Sequence, residues 1–332
     1  MLFKLGLLII LGLAPYTARG FDFGFGWTAK TEVPEWVANP TKDDAKFIYG
    51  IGSGISLAKA EQAALKNISG KLATVVSSSV FANTSVHQGA VSSTFSEEII
   101  TKTFDTKLSG FETERSDQQG KVFYVKVRMS RTLFVKDTLE RLASIDEKIA
   151  SKIKLASRDS KLQLYFALIS TRPDVSEATS LVYLLQAASP SFDSNSYLIK
   201  YREYQSRAEE MPYRLGFRVN ATAEMKLISD LLVSMLGEHG LLLLKQADQA
   251  DATIRINGSA DNKRIFGDYM TQLRVTIQVD DKLGRKIKTQ EYVVAGSSLN
   301  GYENSLRDAL QLLRQRWEDE GVLSVVGMRS VN

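Results

Sequence analysis

Cysteine is absent from this 332-residue chain, histidine occurs twice and proline six times. No disulfide framework can stabilise it, so a fold must rest on packed cores and hydrogen-bonded sheet. Cysteine-ligated zinc is excluded, as is a lipid attached to a mature cysteine. His87, in a Ser/Thr-rich stretch, and His239, at a helix end, are too few for a histidine-rich metal site. Long apolar runs are missing beyond the start of the chain, where Leu5 to Ala14 falls short of the about 20 residues that a membrane-spanning helix needs. Charge of one sign is missing too. The excess of 42 Lys and Arg over 38 Asp and Glu is small, and acids and bases alternate, as in "DEKIASKIKLASRDSK". A nucleic-acid partner, which asks for a dominant basic face, is disfavoured.

What is present begins with a leader. Lys4 gives a positive start, Leu5 to Ala14 an apolar segment, and Pro15 a break before Ala18-Arg19-Gly20, a small-x-small cleavage pattern. Residues 1–20 read as a secretory signal of bacterial type, and Phe21 is the expected mature N-terminus. The expected location is the periplasm or an outer-membrane-associated layer. Asn-x-Ser/Thr triplets at Asn67, Asn83, Asn220 and Asn257 leave a eukaryotic reading open.

Pattern changes divide the rest, at about 100–150 residues per domain, into three units. Residues 21–131 hold strand "KFIYGIG", a helix from Leu57 to Ser79, and two β-like runs, "SSTFSEEIITKTFDTKLSGFETERSD" and "KVFYVKVRMS", joined by a turn at "SDQQGK". Residues 132–211 change to a helical period: Leu139, Leu142, Ile145, Ile149, Ile153 and Ala156 draw one apolar stripe, and two shorter helices follow Pro173 and Pro190. This unit is expected to be a helical hairpin or bundle. Residues 212–332 return to α+β, with strands at 213–220, 241–245, 252–259, 270–280 and 286–295 and helices at 223–238 and 302–320. The fold class is therefore α+β: an N-terminal βαββ domain, a central helical unit and a C-terminal α+β domain with an antiparallel sheet.

Candidate chemistry is sparse. Gly50, Gly52 and Gly54 form G-x-G-x-G rather than the G-x-G-x-x-G of a dinucleotide site, and no acidic residue ends a second strand about 20 positions on. Close approach of strand and helix explains them without a ligand, and no cofactor is expected. Ser151 and Lys154 make an S-x-x-K on the long helix without the other elements of a serine–lysine nucleophile. Asp280-Asp281, in a hairpin turn, are expected to face water with ordinary acidity. Phe21, Phe23, Phe25 and Trp27, spaced by glycines, read either as an arm that docks on a partner or lipid or as a segment folded on its own domain.

"VPEWVANP", "FIYGIGSGISLAKAEQAALKNISGKLATVVSSSV" and "VFYVKVRMSR" together resemble the family of small, roughly twenty-kilodalton bacterial outer-membrane lipoproteins and the related N-terminal regions of the flagellar assembly proteins P and T. Pro34, Trp36, Tyr49, Gly52, Ala60, Ala63, Ala64, Leu72 and Ala73 occupy the family pattern, over about Trp27 to Arg131. The resemblance implies a surface-associated, non-enzymatic domain whose shared residues determine the fold. Phe21 stands where lipidated members have cysteine. The C-terminal unit, in "DATIRINGSA", more loosely resembles accessory domains of periplasmic transport and secretion assemblies.

The expected function is that of a non-enzymatic envelope protein, a scaffold or accessory that contacts other envelope proteins, in a flagellar or secretion setting. Peripheral membrane contact and oligomerisation stay open. Two alternatives remain: an envelope hydrolase or peptidoglycan-acting enzyme, which needs a polar constellation in a cleft, and a carrier of an apolar ligand, which needs an apolar pocket between helices and sheet.

Overall fold

The computed structural model describes residues 33–86, 93–104 and 108–328. Residues 1–20, read above as a leader, the four aromatics from Phe21 to Trp27, and His87 lie outside them. After one helical turn, α1 (Glu35–Ala38), the chain enters β1 (Phe47–Gly54), then α2 (Leu57–Val86), α3 (Ser93–Phe104), β2 (Phe111–Gln119) and β3 (Val122–Ser130). Ser56 starts α2 by accepting a hydrogen bond from the Lys59 amide at 3.3 Å. The three strands form an antiparallel sheet in the order β1-β3-β2. In β3 the alternation of Val125, Val127 and Met129 buries one face.

Part of the first β-like run is helix. Ile99 and Thr103, four residues apart, are buried in α3 and lie on the side that meets a later helix, where Ser180 donates to the Ile99 carbonyl at 3.4 Å. The Thr- and Ile-rich composition suggested strand, and tertiary packing of an i, i+4 face prevails.

Four helices follow: α4 (Arg131–Ser157), α5 (Lys161–Ser170), α6 (Arg172–Ala188) and α7 (Asn195–Arg214). Ser130 and Ser160 cap α4 and α5 by accepting from the amides three residues on. These helices do not enclose a core of their own. Phe134, Leu142 and Ile149 of α4, most of α6 from Val175 to Ala188, and Tyr201 of α7 join the core of the N-terminal sheet. Leu162, Tyr165 and Leu168 of α5, with Ala208 and Met211 of α7, join the C-terminal core.

The C-terminal layer contains β4 (Gly216–Ala221), a 3₁₀ turn (Ala223–Met225), α8 (Lys226–Glu238), β5 (Leu242–Leu243), β6 (Ala252–Ile265), β7 (Asp268–Asp281), β8 (Lys286–Ser298), α9 (Tyr302–Glu320) and α10 (Val322–Val325). Tyr213, expected to open the strand, ends α7 instead. The five strands run in the order β5-β4-β6-β7-β8. β6, β7 and β8 are antiparallel, but β4 is parallel to both β5 and β6, so the sheet is mixed. The crossover through α8 is what brings β5 alongside β4 in the same direction. β4 pairs with β6 only as far as Ile256, so the outer half of β6 is hydrogen-bonded to β7 alone.

Candidate functional site

The glycine strand is explained by contact. Ile48, Gly50 and Gly52 alternate on the buried face of β1, against α2. A Cβ on Gly50 would strike the Ala64 carbonyl oxygen, one on Gly52 the backbone of Ala60 and Ala64, and one on Gly54 the Ala60 amide. None of the three takes a positive φ, so the requirement is closeness rather than backbone freedom. Ala60 and Ala64, fully buried, supply the small surface on the helix.

Of the other motif residues, Leu72 and Ala73 are buried on α2, and Pro34, Trp36 and Tyr49 gather about the opposite face of the sheet. Pro34 is buried, and the Arg115 guanidinium lies 5.7 Å from the Trp36 ring centroid. Lys126 is buried, its ammonium 4.7 Å from the Tyr49 ring centroid; it donates to Thr41 Oγ1 at 2.7 Å and to Glu114 Oε1 at 3.2 Å. A β-bulge supplies that carboxylate: Thr113 pairs with Val127 and Arg115 with Lys126, which leaves Glu114 as the extra residue. The Tyr49 hydroxyl donates to Asp44 at 3.2 Å. Desolvation, then the hydrogen bond to Asp44, raises the phenol above its ordinary pKa. Beside it a cleft of about 500 Å³ is bordered by Pro40, Thr41, Asp43, Asn67 and Lys71, with Lys71 Nζ donating to Asp43 and to the Tyr49 carbonyl.

Asp280 and Asp281 do not face water: they are 2% and 3% exposed. Asp281 accepts from the amides of Leu283 and Arg285 at 2.9 and 2.8 Å and from Arg285 Nε at 2.6 Å. Burial pushes its carboxyl up, but these donors outweigh burial and hold it below the usual carboxylate value. Arg285 reaches on to Asp159 at 2.8 Å, in the link between α4 and α5, so the turn that holds Asp281 is tied to that link. Asp280 accepts from Gln278 and meets Arg255 at 3.3 Å. Glu320 likewise joins Lys288, Gln290 and Tyr292. Ser151 and Lys154 are exposed on α4, and His239 is exposed at the end of α8, before Gly240 with φ 75°.

Sequence patterning left α5 unassigned, yet it separates two adjoining recesses of about 680 and 730 Å³ that share Gln163, Phe166 and Ser170. The first runs between α5, the start of β8 and the stretch from Ser324 to Met328, with Ile169, Ile287 and Met328 as its apolar lining. The second lies against the end of α4, where Leu155 is 74% exposed. Lys152, Arg158, Lys286 and Lys288 stand around the two. The break after Ser157 and the Ser160 cap were the signals that could have revealed α5.

No family model matches the chain, and no curated protein does. Among solved structures, it is similar to a secreted protein, HP1454, from Helicobacter pylori, at 16% identity over 84% of this chain and 98% of that one, with a TM-score of 0.43. A minor lipoprotein from Acinetobacter baumannii is similar at 18% identity over 33% of this chain and 93% of its own, TM-score 0.28. Lipoprotein GNA1162 from Neisseria meningitidis is similar at 13% identity over 32% of this chain and 96% of its own, TM-score 0.24.

Proposed function

We propose that this protein is a non-enzymatic component of a bacterial cell envelope that works by binding other envelope proteins. The observation that carries the reading is how its buried polar groups are used. Lys126, Asp251, Asp280 and Asp281 are each engaged in links between structural elements, while apolar surface at α5 is left open. Such a division suits a scaffold, in which recognition is carried by surface shape and apolar contact. The finer placing, as an accessory of a flagellar or secretion structure, rests on the resemblance carried by Pro34, Trp36, Tyr49 and the glycine strand.

In-cell crosslinking followed by purification of the tagged protein tests this. A reproducible set of envelope proteins, depleted by charged substitutions at Leu155 and Phe166, is the expected outcome. Recovery of the uncrosslinked chain alone would overturn the reading. A second reading, a carrier of an apolar ligand, is favoured by the recess between α5 and β8 with Phe166, Ile169, Ile287 and Met328 in its walls. Native mass spectrometry of freshly purified protein separates the two: a bound hydrophobic molecule lost on Phe166→Asp supports the carrier, and a mass equal to the bare chain refutes it.

A further inference from the structure

The β6–β7 hairpin closes through a two-residue turn, Phe266-Gly267, with φ of 50° and 97°. Phe266 is the only non-glycine residue with positive φ among the described residues. The first central position of such a turn favours Asn, Asp or Gly, and a bulky aromatic there is strained. Its ring gains nothing in return from the fold, because Phe266 is 104% exposed. Backbone strain combined with full exposure of a large apolar group points to a contact made outside the chain.

The surroundings of Phe266 show a gradient. Ile265 is 41% exposed beside it, and Leu299, 78% exposed, follows Ser298, which pairs with Tyr269 at the same end of the sheet. One step back, the rings of Tyr269 and Tyr302 meet edge-to-face at 4.9 Å. The Arg264 guanidinium covers Tyr269 at 4.9 Å, and Lys263 is exposed next to it. The order is apolar at the tip, then tyrosine and cation behind. That is the order of side chains across a water–lipid interface, where tyrosine and long basic residues sit at headgroup depth.

We propose that this end of the sheet is a membrane-contact site, with Phe266, Ile265 and Leu299 entering the acyl boundary of a bilayer. A lipid surface suits it better than a protein pocket, since the exposed apolar groups come from two separate connections and a bilayer deforms around each of them. Asp261, Asp268 and Glu303 share this end with Lys263, Arg264 and Arg307, the last paired with Glu303, so charge is balanced. The contact is apolar in origin and resists salt. It goes beyond the protein-binding reading and does not depend on it.

The test uses phosphatidylethanolamine–phosphatidylglycerol vesicles carrying brominated acyl chains. Phe266→Trp places an indole at the tip, and its emission, after subtraction of the unsubstituted protein's signal from Trp27, Trp36 and Trp317, is expected to be quenched by bromolipid at low and at high salt. Phe266→Asn is expected to lower the vesicle partition coefficient at least fivefold while leaving the melting temperature equal or higher, an outcome that a merely structural role would not produce. Absence of quenching, or quenching abolished by salt, overturns the proposal. Should Phe266→Asn instead remove crosslinks to envelope proteins without quenching in Phe266→Trp, the tip belongs to a protein pocket and the lipid contact is refuted. Because the vesicles contain no other protein, failure here leaves the crosslinking result standing.

Discussion

The two sheet–helix layers reach the same architecture by opposite means. In the N-terminal layer, β1 presents Gly50, Gly52 and Gly54 to Ala60 and Ala64 of α2, and the two backbones touch. In the C-terminal layer, α9 lies on β7 and β8 through Trp317, Leu313 and Tyr292, with the rings of Trp317 and Tyr292 edge-to-face at 5.9 Å. One glycine, Gly296, admits α9 where a Cβ would strike the Ser305 carbonyl and the Ala309 amide. The first interface is specified by what its residues lack and the second by what they supply. The first should fail chiefly on addition and the second chiefly on subtraction, with Gly296 the one point where the second also refuses an added methyl.

Trp317→Ala is the strongest attempt to break that contrast. Truncating a fully buried tryptophan costs about 3–5 kcal/mol, read from denaturant midpoints. Hydrogen exchange should quicken in β6 to β8 and leave β1 and α2 protected; equal loss in both layers would show that they do not differ in kind. Next comes a pair of added methyls. Gly52→Ala should destabilise by about 1–3 kcal/mol, because the obstructing atoms are backbone and cannot swing away. Gly70→Ala, in the same α2 but with nothing near its added Cβ, should stabilise by about 0.5–1 kcal/mol. Opposite signs sharpen the comparison, and like signs dissolve it.

The last contrast concerns charge. Asp281 has a depressed pKa in the folded state, so its contribution is fully present above the unfolded value of about 3.9 and is lost as pH falls through the folded value. Asp281→Asn should cost about 1–2 kcal/mol near neutrality. The gap between the two proteins should narrow as pH drops below about 4. A gap that stays constant with pH would assign the loss to packing.

The first layer was the more legible one in the sequence because its determinants are local. The glycines of β1 and the alanines of α2 lie within one short stretch, and the alternation in β3 is visible without a partner. Where a residue's state depends on a distant element, reading failed. The spacing of Ile99 and Thr103 makes sense only once α6 is beside them, and Asp280 and Asp281 look like surface turn residues until Arg255 on β6 meets the one and Arg285, held by Asp159, meets the other. The parallel pairing of β4 cannot be read from its six residues. The tip of the C-terminal sheet was left as a link, since the strands were drawn to end at 259 and to resume at 270. In the fold they meet through Phe266-Gly267, and an aromatic in place of asparagine masks the turn signal.

The interlacing of the four middle helices has a consequence for the order of events as the chain is made. The N-terminal core is complete only when Tyr201 joins it, and α6 reaches that core after α5 has already been committed to the other one. Leu162, Tyr165 and Leu168 therefore emerge before β6, β7 and β8 exist to cover them. Vectorial folding from the N-terminus, the usual course for a chain with two cores, would leave a bare apolar helix waiting for residues a hundred positions away. A holding chaperone during synthesis would meet that need, and α5 is where it would grip.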